Sequence, residues 1–216
     1  IEQAVIWIGF DKFKEIALNQ KVCEIFKGDL PICGYSRIGL WKHSISVAIL
    51  GKMIYRMEYG EPGESVYVAG LLHDIGIIAV DQFCRDDFKK IIKKSHDEKK
   101  DYSVVEQEFW GYTHQDIGER ITALWDFPEE LSSSIGNHHA PTQGTVSEEV
   151  ERLTGTLYIS DYMCHAAGFE SGYHYTPDRE LFNYYMDKLG LTQIGIDMIV
   201  KKMSHEMLLM EGKGIL

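Results

Sequence analysis

An all-α fold, a multi-helix bundle, follows from three features of the sequence. Apolar residues recur at spacings of three, four and seven, as at Leu40, Val47, Leu50 and Ile54, which lines one face of a helix. Helix-start residues punctuate those runs at Glu61-Pro62-Gly63-Glu64, Thr113-His114-Gln115-Asp116, Phe127-Pro128 and Ser147. No stretch alternates apolar and polar residues as a half-buried strand would, and no internal repeat is visible.

The first helices fall between Ile1 and Lys27, where Ile6, Phe10, Phe13, Ala17 and Val22 through Phe26 are available for burial and Gly9 divides a short helix from a longer one. Gly28 to Ser36 is turn-like. Arg37 to Tyr59 reads as an amphipathic helix with His43 on its apolar face. The next helix starts at Pro62-Gly63 and runs into VAGLLHDIGIIAV, Val68 to Val80, where His73 and Asp74 stand inside a dense apolar segment. Gly70 and Gly76 bracket that pair; glycine permits close backbone approach, and Gly76 is a candidate helix end. Arg85 to Lys100 sets six lysines against Phe88, Ile91 and Ile92, the pattern of a solvated helix face.

Thr113 and Asp116 form a capping-box pattern that places His114 in the first turn of a helix with Ile117, Ile121, Leu124 and Trp125 inward. Pro128 opens a helix that runs to His138-His139, before Ala140-Pro141 stops it. Successive residues of a helix point ~100° apart, so both histidines reach one ion only where the helix is ending. Ser147 begins a helix with apolar Leu153, Leu157, Ile159, Met163 and Ala167, and Asp161 stands among them. The loop Gly168 to Pro177 carries Phe169, Tyr173 and Tyr175, which suit plain packing or the cover of a site mouth. Thr176-Pro177 and Thr192 cap two last helices. In the second of these Ile196, Ile199, Met203, Met207 and Met210 form a core stripe, with a subunit interface as the lesser option.

The totals set bounds. A chain of 216 residues fits one compact domain, with residues 178–216 as a C-terminal helical extension packed on it. Hydrophobic residues at 44%, charged residues at 25% and only 5 prolines exclude a disordered chain. The net charge of −11 argues against duplex nucleic acid as a partner. Cys23, Cys33, Cys84 and Cys164 show no C-x-x-C pairing, so a reduced, cytoplasmic compartment is expected. Apolar runs are interrupted before the ~20 residues of a membrane span, and the start at Ile1 lacks the order of a signal peptide.

Site chemistry concentrates on a few side chains. An ionisable group inside apolar sequence must be paired, hydrogen-bonded or bound to a cation. For His43 alone, or His73-Asp74 alone, a satisfied core role is the simpler reading. A mid-helix Asp161 also needs a partner. Together, His43, His73, Asp74, His114, His138, His139 and Asp161 lie on five helices or helix ends, and five of the nine histidines belong to this set. Bundle interiors gather metal ligands in this way.

The order H…HD…H…HH…D resembles the HD superfamily of metal-dependent phosphohydrolases. The wording is most similar to the HDOD subgroup of bacterial signalling domains, in IEQAVIWIGF, LWKHSISVA, AGLLHDIG, GYTHQDIGERITALWDFPEELSSSIGNHHAP and ISDYMCHAAG, which cover residues 1 to 168. Members carry a further helical region before the first of these motifs, so such a region is expected to be missing here. The resemblance implies two divalent metal ions, iron or manganese ahead of zinc or nickel. Asp74 would bridge them at the catalytic centre, with His43, His73 and Asp161 on one ion and His114, His138 and His139 on the other. Two ions ~3.5 to 4 Å apart acidify a shared water and neutralise phosphate charge. The implied substrate is a nucleotide or other phosphate ester, and the implied partner a signalling protein.

The related HD-GYP phosphodiesterases, which hydrolyse cyclic di-GMP, carry a phosphate-contacting lysine after HD-I-G where this chain has Ile77. The GYP motif is absent after the paired histidines, and Gly39 stands where three-metal members have glutamate. These departures argue against cyclic di-GMP as the substrate, while the full two-metal ligand set keeps catalysis open. A non-catalytic signalling or partner-binding module and a di-iron oxygenase stand as alternatives.

Overall fold

The structure, a computed structural model, describes residues 22–26, 28, 31–141, 147–170 and 172–212. The helices expected before Lys27 lie mostly outside these residues, although Val22 to Ile25 are helical. From Arg37 onward the described residues form ten α-helices and no strand, and an isolated bridge pairs Ile32 with Tyr35. The all-α expectation holds.

Ser36 begins the central element. Its Oγ accepts the backbone N–H of Gly39 at 2.9 Å and caps α1, Arg37–Ile54. The sequence predicts a one-faced helix, but α1 is buried on nearly every side from Leu40 to Ile54. Its small residues explain the difference. Val47 and Ala48 let the backbone at Gly70 come so close that a Cβ there would lie 2.6 Å from Ala48 backbone atoms. Gly51 does the same for Val66, at 2.8 Å. Helix α2, Glu64–Leu72, thus packs along one side of α1, while α8, Glu148–Ala166, and α10, Gln193–Gly212, cover others. After Ile54 the chain widens into a single π turn, Tyr55–Tyr59, and ends at Gly60 with φ 69°.

Gly76 does not end the His73-Asp74 helix. The break comes at His73 and Asp74 themselves, and Gly76 lies in the first turn of α3, Ile75–Phe83. The reason is tertiary: a Cβ on Gly76 would lie 2.0 Å from the carbonyl oxygen of His114, so this glycine seats another helix's backbone. Taken through this break, Glu64–Phe83 is long and apolar enough to cross a bilayer, a length that the interrupted apolar runs concealed, and 78% of its most apolar window is buried inside the fold.

The lysine-rich helix α4, Arg85–Glu98, buries Phe88, Ile91 and Ile92, and its lysines face solvent with acidic partners at Asp87, Asp97 and Glu108. It is followed by α5, Tyr102–Trp110, a helix not among the expected elements. The capping box of Thr113 and Asp116 opens α6, His114–Leu124. Its buried face is His114, Gly118 and Thr122, whereas Leu124 and Trp125, expected inward, are 67% and 52% exposed. They sit where the chain leaves the core for the turn at Asp126, φ 57°.

Helix α7, Glu129–Gly136, stops three residues before His139, so the paired histidines stand past its end. Ser147 caps α8 as expected. Asp178 rather than Thr176 caps α9, Arg179–Lys188, by accepting the Leu181 N–H at 3.0 Å. Thr192 accepts the Gly195 N–H at the start of α10, whose Ile196, Ile199, Met203 and Met207 are buried in the core.

Candidate metal centre

Five segments deliver the seven predicted residues to one place. His43 comes from the middle of α1, His73 and Asp74 from the α2–α3 break, and His114 from the first turn of α6. His138 and His139 follow α7, and Asp161 lies on α8. Six of the seven are fully buried, and His139 keeps 10% of its side chain exposed. The side chains form two groups, Asp74 with His114, His138 and His139, and His43 with His73 and Asp161. Within each group the nearest ligand-type atoms all lie within 4.8 Å of one another.

Four of the five imidazoles are held by one nitrogen and offer the other. Nδ1 of His43 lies 2.7 Å from the Phe169 carbonyl, that of His73 2.8 Å from the Gly70 carbonyl, and that of His138 2.6 Å from the Ile135 carbonyl. A carbonyl only accepts, so each Nδ1 carries a proton, and Nε2 is the atom that faces the cluster and can bind a cation when it is itself unprotonated. Glu106 plays the same part for His114, with one carboxylate oxygen accepting both Nδ1–H, at 2.6 Å, and the backbone N–H, at 2.9 Å. Outer partners of this kind fix the tautomer and ring orientation of metal-binding histidines.

The inward atoms meet two carboxylates. Asp74 Oδ1 lies 3.5 Å from His114 Nε2 and 3.6 Å from His138 Nε2, while Oδ2 lies 3.3 Å from His73 Nε2 and accepts the Tyr173 hydroxyl at 3.0 Å. Asp161 Oδ1 lies 3.0 Å from His43 Nε2 and 3.9 Å from His73 Nε2, and Oδ2 lies 3.4 Å from His139 Nδ1. His139 therefore stands between the two groups.

None of the four Nε2 atoms of His43, His73, His114 and His138 makes a hydrogen bond, and neither do Asp74 Oδ1, both oxygens of Asp161 or both nitrogens of His139. Buried polar atoms left in this state are costly. A cation within each of the two groups would take up most of them, and the mixture of imidazole and carboxylate donors fits divalent metals.

Electrostatics points the same way. Burial alone would raise the pKa of Asp74, but His73, His138 and His114 together hold it well below the usual carboxylate range. Asp161 is likewise held down, against burial, by His165, His139 and His43. Burial opposes a proton on His73, yet Asp74 and Asp161 outweigh it and raise its pKa to about 9. Two buried carboxylates thus demand positive charge at this point. Burial and the neighbouring His139 push His138 down to about 3, which leaves it a neutral donor.

Three contributors were not among the predicted residues. Glu106 lies on the unforeseen α5, so nothing local marked it. Tyr173 reaches Asp74 from a loop 99 positions away. His165 was detectable, because it follows Asp161 by four residues on the same helix face; its Nε2 lies 3.4 Å from Asp161 Oδ1. The aromatic loop after α8 does cover the centre. Tyr175 stacks on His165 at 4.4 Å and 20° and packs 5.3 Å from His139. Outside these rings lies a pocket of about 330 Å³, lined in part by Tyr162, His165, Tyr173 and Tyr175.

Comparison with known proteins adds a family and a fold. The sequence profile of the HDOD domain matches residues 1–141. An HDOD domain protein of unknown function from Geobacter sulfurreducens superposes with a TM-score of 0.78 at 23% identity, over 98% of this chain and 72% of its own. A candidate phosphohydrolase from Shewanella amazonensis gives 0.70 at 19% identity, over 99% and 74%. A candidate signal transduction protein from Marinobacter aquaeolei gives 0.72 at 22% identity, over 95% of this chain and 45% of its own. Likeness at these identities establishes the fold. No curated protein matches the sequence.

Proposed function

The chain belongs to the HDOD domain family, and from that premise we propose that it is a metal-binding domain of bacterial signal transduction. In this reading His43, His73, Asp74, His114, His138, His139 and Asp161 hold two divalent cations, with Asp74 between them. The observation that carries it is the convergence, on two carboxylates, of four buried Nε2 atoms that make no hydrogen bond and whose opposite nitrogens are already bonded. Imidazole and carboxylate donors in this mixture suit iron or manganese first, and zinc or nickel next. We read α9 and α10 as a C-terminal extension packed on α8 and α1 of the same domain.

Such a pair of cations supplies an acidified water and charge neutralisation at phosphorus, the requirements of phosphate-ester hydrolysis. The substrate class we assign is a nucleotide or other phosphate ester. The chain's own residues orient the centre: Glu106 fixes the ring of His114, and Tyr173 fixes one oxygen of Asp74. The buried shell excludes bulk water.

A second reading, a non-catalytic signalling module that binds a partner protein, is favoured by closure of the site. Ile77 is fully buried where a phosphate-contacting cation would be useful, and Tyr173 and Tyr175 lie over the centre. Turnover decides between the two. Anaerobically reconstituted protein is assayed on a generic aryl phosphodiester and on nucleotides, with Asp74→Ala as control. Hydrolysis that disappears in the variant supports the hydrolase. A loaded protein without turnover supports the signalling module, and a mixed-valence iron signal would point to oxygenase chemistry.

A further inference from the structure

His165 stands on the solvent side of the centre and belongs to neither group of the two-cation arrangement. Its side chain is 9% exposed, and its Nε2 has no hydrogen-bond partner. That nitrogen lies 3.4 Å from Asp161 Oδ1, the same oxygen that His43 Nε2 approaches at 3.0 Å and His73 Nε2 at 3.9 Å. The rings of His43 and His165 are 4.6 Å apart between centroids.

We propose that His165 is a further ligand, through Nε2, of the cation held by His43, His73 and Asp161; the proposal rests on the two-cation reading. Donor atoms that each lie ~2.0 to 2.2 Å from one ion stand about 4 to 4.4 Å from the opposite donor of an octahedron, and roughly 3 to 3.6 Å from an adjacent donor in a tetrahedral or octahedral shell. The spacing of His165 from Asp161 falls within that interval, and its unsatisfied nitrogen has no competing partner. The i, i+4 relation on α8 sets both side chains on one face, so the helix itself delivers the pair. Tyr175, stacked on the outer face of the ring, fixes its plane.

The consequence is a change in donor balance. With His165, the first cation would have three imidazoles and Asp161, and the second three imidazoles, with Asp74 common to both. Without it, the first cation has two imidazoles. The added imidazole moves that site toward metals later in the divalent series. It also occupies the direction that faces the pocket of about 330 Å³, which leaves fewer positions on that cation open to an incoming ligand.

The test is cobalt(II) titration of anaerobic wild-type protein, His165→Ala and His165→Phe, read by visible absorption and by competition with a chelator. The phenylalanine keeps the stack on Tyr175 and removes the donor. Expected are two cobalt ions in the wild type, with one of them weakened in both variants by at least the ~10- to 100-fold that loss of an outer partner costs. Its absorption band should shift, and added imidazole should restore the band in the alanine variant. Two ions of unchanged affinity and spectrum in His165→Phe would overturn the ligand assignment and leave the two-cation reading standing. A wild-type protein that takes up no cobalt, manganese or iron would overturn both.

Discussion

His43, His73, His114 and His138 each have one ring nitrogen committed outward, and the protein groups that hold it are as informative as the cluster. Glu106 holds His114 through a single oxygen. Glu106→Gln should therefore lower metal affinity by ~10- to 100-fold, measured by chelator competition, while the fold persists. Retention of wild-type affinity would show that the ring is fixed without it. His73 yields a second expectation. Its pKa is raised to about 9 because Asp74 and Asp161 outweigh the effect of burial. At pH 7 the imidazole therefore carries a proton that a cation must displace, so affinity should rise about tenfold per pH unit from 7 to 9 and level off above. Calorimetry in buffers of different ionisation enthalpy should show protons released on metal binding at pH 7; buffer-independent heats would contradict it. At this scale the seven cluster residues were legible because ligand types stood in apolar surroundings and in a motif order. Glu106 and Tyr173 were not, since nothing near them in sequence points to His114 or Asp74.

The elements that carry the centre are set by close backbone approach as much as by periodicity. The α2–α3 break brings His73 and Asp74 inward, and Gly76 just beyond it receives the His114 carbonyl at a distance no Cβ permits. Gly76→Ala should destabilise the fold by about 1 to 3 kcal/mol or more, measured by urea unfolding, and should also weaken metal binding because α6 must shift with His114. Wild-type stability in that variant would mean that the α3–α6 contact is looser than the geometry indicates. The starts of α6 and α8 were readable from Thr113, Asp116 and Ser147, because a cap is a local event. The break at His73 was not, because the local breaker, Gly76, lies inside α3 and seats the His114 carbonyl of another helix instead. Nor did the apolar spacing of α1 reveal its burial on nearly all sides, which depends on the small residues Ala48 and Gly51 admitting neighbours. Leu124 and Trp125 fit the helical period of α6 yet lie where that helix leaves the core.

Across the whole molecule the centre ties together α1, the α2–α3 break, α6, the segment after α7, and α8, elements separated by more than a hundred residues of chain. A cation that binds only the folded state adds about 4 kcal/mol at a thousandfold excess over its Kd. For a chain of 216 residues that corresponds to a rise in Tm of roughly 8 to 16 °C. Differential scanning calorimetry with and without chelator should show a shift of this order; equal transitions would mean that the fold does not depend on the centre. The most direct measurement is metal content per chain by elemental analysis, on anaerobically purified and iron- or manganese-reconstituted protein, with Asp74→Ala alongside. Two ions per wild-type chain and loss of both in the variant are expected. A wild-type chain that remains free of metal after reconstitution would contradict the two-cation centre, and a fully loaded variant would contradict the placement of Asp74 between the cations.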